Sequence, residues 1–311
     1  MLDLLQLMLD GLLDGGVYAL LGLGLSLTFG CLRRLNLAYG ATAMLAAYMG
    51  TWCHLRYQVS ISVVAIIVVL AASFIGWYVE RLCFSRADDA GAQSAGGAQD
   101  RLFMTDSGEM VSLASSFAIW MQLEQLAANL LPRHLNPFPS VSIDSSWMIG
   151  GIAIRPDRLL LTLLAAALAT GIAVWLQRTR AGLSLRAASD QRMAAHLVGM
   201  PVVWLQTTGF IFACALSGIA VFAVLSLEGQ VTPMLGMWVL FKGLVSAMLG
   251  GLGSVLGVLW GGLLLGVVES FSQSLLGAQG REFATYALLL LALILPRHSE
   301  SGRGARRGIR I

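Results

Sequence analysis

The sequence predicts an all-α integral membrane protein, a polytopic bundle of eight or nine transmembrane helices with one short helix on the cytoplasmic side. Three observations predict it. Of 311 residues, 57% are hydrophobic and 12% charged, with a mean hydropathy of +0.76, whereas a soluble domain carries roughly 25% charged residues. Apolar runs approaching the ~20 residues that cross a ~30 Å hydrocarbon core recur along the chain. The arginines, finally, gather in alternate connections, as cytoplasmic loops do.

The elements follow in order. The opening stretch MLDLLQLMLDGLLDGG has no basic residue before its apolar run and so does not read as a cleaved signal. Asp3, Asp10 and Asp14 fall on one helical face, giving an amphipathic leading helix that runs into a retained first span. Candidate spans lie at 12–32, 35–55, 59–79, 110–131, 158–176, 202–227, 234–249, 254–271 and 282–295. The seventh and ninth are short, and either could be tilted, re-entrant or merged with a neighbour. One side of the membrane receives fourteen arginines: 33, 34, 81, 86, 101, 178, 180, 186, 192, 297, 303, 306, 307 and 310. The other receives five, Arg56, Arg133, Arg155, Arg158 and Arg281. That asymmetry puts the N-terminus outside and the basic tail, 297–311, in the cytoplasm.

Residues 87–100, ADDAGAQSAGGAQD, form a low-complexity cytoplasmic loop that can bury nothing. No loop is long enough to fold by itself, so residues 1–311 make one transmembrane domain. The loop 186–200 is different, since its punctuation is helical. Ser189 is a good N-cap, Asp190 supplies first-turn negative charge, Gly199 suits the C′ position and Pro201 stops continuation. A helix over 190–198 is expected, with Met193, Ala194, Leu197 and Val198 on one face and Ser189, Arg192 and His196 on another. So short a helix is marginal in water. It either docks on a soluble partner or rests on lipid headgroups.

Glycine spacing carries a second signal. Gly253, Gly257 and Gly261 form a GxxxGxxxG ladder, and Gly262 with Gly266 begin another on a different face. Helices in lipid associate by close approach at small residues, so two such faces imply two close neighbours. Packing within the bundle and a thin-walled pathway or subunit seam both fit.

Several chemistries are excluded. There is no HExxH, and the histidines, 54, 134, 196 and 298, are isolated. Cys31, Cys53, Cys83 and Cys214 form no CxxC pair and read as small buried hydrophobes. A P-loop needs Gly-Lys-[Ser/Thr], but the single lysine, Lys242, stands between Phe241 and Gly243. If ATP drives this protein, another chain hydrolyses it. No catalytic, metal or cofactor site is expected, and nothing provides for nucleic acid. Of the glutamates, Glu124 lies deepest in a predicted span; Glu80, Glu109, Glu228, Glu269 and Glu282 fall mostly near span ends. Glu124 and Lys242 read as snorkelling or pair-forming groups rather than as an ion relay.

RAASDQRMAAHLVGM resembles the cytoplasmic coupling loop of ABC-importer permeases of the branched-chain amino acid type. DGGVYALLGLGLSLTFGCLRRLNLAYG is similar to that family's first hairpin, and SAMLGGLGSVLGVLWGGLLLG to its Leu-Gly-Gly-x-Gly-Ser run before a glycine-laddered helix. The chain departs from the pattern at Tyr39-Gly40-Ala41, where family members commonly have His then Gly-Glu. The resemblance implies a multi-pass permease of the bacterial inner membrane. Its partners would be a homologous or identical second permease, two cytoplasmic ATPase subunits, a periplasmic solute-binding protein and membrane lipid. It implies that Arg186, Asp190, Arg192, Ala194, Leu197 and Gly199 serve ATPase coupling. It also places Asn36, Tyr39, Gly40, Gly253, Gly257 and Gly261 on the translocation path or in helix packing. Branched-chain or other hydrophobic amino acids are the implied cargo. Urea and short-amide permeases share the architecture, and a self-sufficient ion-coupled carrier is the alternative from a different class.

Overall fold

A computed structural model describes residues 2–32, 36–85, 100–130, 136–139, 147–149, 152–190 and 192–294. The expected low-complexity loop, apart from Asp100, and the basic tail lie outside these residues.

The described chain is almost entirely helical, as lipid demands: a helix pairs its backbone groups within one segment. The helices are α1 (Leu2–Leu32), α2 (Ala38–Tyr57), α3 (Ile61–Val79), α4 (Asp100–Leu130), α5 (Pro156–Arg178), α6 (Arg180–Asp190), α7 (Arg192–Leu197), α8 (Val202–Glu228), α9 (Leu235–Gly250), α10 (Val255–Leu276) and α11 (Ala278–Ile294). A single π-helical stretch, Glu80–Ser85, prolongs α3. Each of the candidate spans meets a helix. Among the described residues, five segments are long and apolar enough to cross a membrane: Leu4–Gly30, Ile61–Cys83, Pro156–Arg178, Val202–Glu228 and Val255–Leu276. Leu235–Gly250 is a shorter apolar helix.

The expected amphipathic leading helix is not a separate element, because α1 runs unbroken from Leu2 to Leu32. It is also the central column. Of its apolar window 83% is buried, against 33% in α3 and in α5. Around it pack α10, α8, α9 and α5, with α2, α3 and α4 beyond on one side and α11 against α9 and α10 on the other. The outer helices are inside-out by aqueous standards. On α3, Val64, Val68, Ala72 and Val79 face the bundle, while Ile66, Leu70 and Phe74 are its most exposed side chains. In hydrocarbon such a face needs no cover.

Two small antiparallel pairs complete the fold. β1 (Asn136–Pro137) pairs with β4 (Gln230–Val231), with Asn136 opposite Val231. β2 (Trp147–Ile149) pairs with β3 (Ile152–Ile154) ahead of α5.

Candidate functional site

Three of the predicted path residues meet at the start of α2. Asn36 Oδ1 accepts the Ala38 N–H at 3.0 Å, so the side chain caps its own helix. Tyr39 Oη donates to the Leu21 carbonyl at 2.9 Å, two-thirds of the way along α1. Its hydroxyl occupies the space a side chain at Gly24 would need, and the Ala213 carbonyl, midway along α8, borders the same space. Gly40 lies against α9: a Cβ there would overlap the Gly236 carbonyl oxygen and stand 3.1 Å from Leu240 Cβ. α2 therefore begins inside the bundle, packed on α1, α8 and α9.

The two glycine faces of α10 do meet two neighbours. On one, a Cβ at Gly262 would stand 2.5 Å from Ala19 Cα, and one at Gly266 2.5 Å from Gly15 Cα. Gly11 and Gly15 return the contact, at 2.7 Å from Val267 Cα and 2.6 Å from Leu263 Cα. On the other face Gly257 and Gly261 press on α9 at Gly250. Gly253 is not part of this ladder, because α10 starts only at Val255. Gly251 and Gly253 have φ of +99° and +87°, the left-handed values that let α9 reverse into α10. The Gly253 N–H donates to Ser26 Oγ at 3.1 Å, and Ser254 Oγ caps α10 by accepting the Gly257 N–H at 3.2 Å.

Glu124 is half-buried and accepts the indole N–H of Trp120 at 3.1 Å. The most buried charges among the described residues are Lys242, 1% exposed, and Glu269 beside it, 2% exposed. Lys242 Nζ donates to Glu269 Oε1 and, at 2.7 Å, to Thr285 Oγ1, which itself donates to Glu269. Tyr18 Oη donates to Glu269 Oε2 at 2.7 Å and accepts from Arg281. Arg281 Nε reaches Glu269 at 3.2 Å, and its Nη2 lies 3.7 Å from Asp14. Asp14 pairs with Arg158, and Glu282 lies 3.7 Å from Lys242. Three cations thus face three carboxylates across α1, α5, α9, α10 and α11. Each charge of this cluster has its counter-ion, as an apolar interior requires. The arrangement clasps helices; it is no open chain of proton acceptors. One signal for it was present in the sequence: a lone lysine inside an apolar helix needs a carboxylate partner.

The segment after α5 differs from its expected form. Two helices replace the one expected over 190–198. Thr179, not Ser189, is the cap: its Oγ1 accepts the Gly182 N–H at 3.0 Å. Ser189 is buried within α6 and donates back to the Leu185 and Arg186 carbonyls, both at 3.0 Å. Asp190 closes α6 instead of opening a helix, and Arg192 begins α7. The physical reason is packing. Leu185 and Ala188 bury an apolar side of α6, and that burial outweighs the capping preference of one serine. The exit matches expectation. Gly199 has φ +82°, with the Val198 N–H bonded to the Ala194 carbonyl and the Met200 N–H to that of Ala195. Ala194, Leu197 and Val198 are exposed while Ala195 is buried. Leu197, at 84%, is the most exposed large apolar side chain among the described residues.

Comparison with known proteins adds what geometry does not. A family model described as "Branched-chain amino acid transport system / permease component" matches residues 7–295. The chain is 25% identical over 293 residues to the high-affinity branched-chain amino acid transport system permease protein BraD of Pseudomonas aeruginosa, covering 93% of each. It is 23% identical over 306 residues to the corresponding permease protein LivH of Escherichia coli K12, covering 94% of this chain and 93% of LivH. Among solved structures, PsaBC from Streptococcus pneumoniae in complex with Fab matches with a TM-score of 0.46 and 11% identity, over 92% of this chain and 90% of that one.

Proposed function

The chain belongs to the family of branched-chain amino acid transport permease components, and we propose from that premise how it works. It is the membrane-spanning permease subunit of an ATP-driven ABC importer. The observation that carries this is the family match over residues 7–295, joined by relatives aligned along nearly the whole chain. ATP hydrolysis and solute capture fall to partner subunits. In our reading these are two cytoplasmic ATPases, a second permease, homologous or identical, and a periplasmic binding protein. The cargo is branched-chain or other hydrophobic amino acids.

The nine long helices, α1 to α5 and α8 to α11, are the spans in this reading. With the N-terminus periplasmic, α6, α7 and Gly199 lie in the cytoplasm, where the arginine asymmetry supports placing them. Leu197 and Val198 form the coupling contact: exposed apolar side chains outside any span offer an ATPase groove something to grip. The clasp around Glu269 then keeps α10 and α11 on α1 while the ATPases drive the other helices.

The test is uptake of ¹⁴C-leucine into proteoliposomes holding the permease pair, its ATPases and the binding protein. Uptake should require ATP hydrolysis and survive a protonophore. Uptake by the permease alone that collapses with the proton gradient would instead identify an ion-coupled carrier.

A further inference from the structure

We propose that the start of α2 is a carboxylate subsite inside the bundle, where Asn36 Nδ2 and the amino-terminal end of α2 hold the carboxylate of the transported amino acid. The proposal rests on the permease reading above and names the chemistry that meets the cargo on its way through.

The argument starts from an unused donor. Asn36 is 1% exposed. Its Oδ1 accepts the Ala38 N–H, which fixes which amide atom is oxygen and which is nitrogen. Nδ2 has no hydrogen-bond partner in the structure. Buried polar groups are nearly always paired, so a donor left unmade in an apolar interior calls for an acceptor that comes and goes.

The surroundings specify that acceptor. α2 is a 20-residue helix, and its N-terminal end carries a partial positive charge with amide N–H groups directed outward along the axis. The Ala38 N–H is taken by Asn36 Oδ1, and the Tyr39 N–H reaches the Asn36 carbonyl only at 3.4 Å. A site that offers donors and positive potential suits an anion. Lys242, the lysine of α9, is already neutralised by Glu269. What remains matches a single carboxylate on an otherwise neutral zwitterion better than a phosphate.

Two neighbours shape the subsite without binding. Tyr39 Oη is committed to the Leu21 carbonyl, so its ring forms a wall. Gly40 lets α9 approach until Gly236 touches the first turn of α2. Ala38, Tyr39 and Gly40 are buried here, and the cargo reaches the subsite when α2 and α9 part at that glycine contact.

The test uses the full chain assembled with its partner subunits in proteoliposomes, with ¹⁴C-leucine as the probe. Asn36→Asp places a carboxylate where the cargo's should sit, and Asn36→Ser keeps a cap for α2 while withdrawing the donor. A hydrogen bond to a charged group is worth about tenfold to a hundredfold. Asn36→Asp should therefore cut uptake by about thirtyfold or more, and Asn36→Ser should raise the half-saturating leucine concentration by about tenfold. Thermal stability of the assembled complex should stay that of the unmodified complex in both, a split that a purely structural asparagine would not produce. The proposal is overturned if Asn36→Ser keeps the unmodified half-saturation, or if uptake and thermal stability fall together. Should Asn36→Asp fail to assemble, Asn36→Ser decides alone. Failure of the unmodified complex to take up leucine at all would strike the permease reading, whereas failure confined to the variants strikes only the subsite.

Discussion

Replacing Glu269 with glutamine removes one charge from the buried clasp and leaves the shape almost unchanged. The structure sets the size of the effect. Lys242 is 1% exposed and would keep only Glu282, 3.7 Å away and half exposed, as a counter-ion. Whichever of the two oxygens becomes the amide nitrogen, its partners, Thr285 on Oε1 or Tyr18 and Arg281 on Oε2, would lose their acceptor. Breaking a buried pair by removing one partner costs about 3–5 kcal/mol. At roughly 2 °C per kcal/mol for a large domain, the melting temperature should fall by about 6–10 °C. The control is the double variant Lys242→Met with Glu269→Leu. It removes both charges together, and well-packed apolar replacements of buried ion pairs are often neutral or stabilising. It should melt well above the single variant and close to the unmodified chain. Fluorescence-monitored unfolding of the purified protein in detergent measures both, and the single variants Lys242→Met and Glu269→Leu with the double complete a thermodynamic cycle. Glu269→Gln melting within about 2 °C of the unmodified protein would refute the clasp. So would a double variant as unstable as the single.

Gly262→Ala should destabilise, because its Cβ would stand 2.5 Å from Ala19 Cα, whereas Gly171→Ala on α5, with open space around it, should be neutral or gain up to about 1 kcal/mol of helix propensity; unfolding in the same detergent compares them, and equal shifts would mean that α1 and α10 are not in close contact. Leu197→Asp should abolish co-purification of the ATPase in detergent while the permease still inserts, since an unpaired charge in an apolar groove costs several kcal/mol. Retention of the ATPase at the unmodified level would remove α7 from the coupling contact. Gly199→Val should loosen the same contact by straining a φ of +82°, at roughly 1–2 kcal/mol, with the retained ATPase fraction as the readout. In a background without the native cysteines, a membrane-impermeant maleimide applied to intact spheroplasts should label Leu275→Cys and leave Val198→Cys unlabelled until lysis; the reverse pattern would invert the topology.

Composition and periodicity alone determined that this chain lives in lipid and is helical. With water absent, only paired backbone survives, so an apolar run of about 20 residues has one available structure. Local backbone needs were legible too: Gly199 stands where a left-handed exit is required. The two glycine faces of α10 could be read because small residues at i and i+4 let helices approach closely in lipid. Other features depended on which segments meet. Tyr18 and Glu269 are 251 residues apart in sequence, and no local pattern announces that Asp14, Lys242, Glu269 and Arg281 converge. Ser189 reads as a cap until Leu185 and Ala188 find neighbours to bury against, and Gly253 reads as ladder until α9 must turn back into α10. Asn36 shows the division most plainly. Its place at the head of a predicted span was visible in the chain, but an unsatisfied donor is a property of everything that surrounds it. Capping and periodicity are short-range and belong to the sequence; charge pairing and the satisfaction of buried polar groups depend on distances that only packing decides.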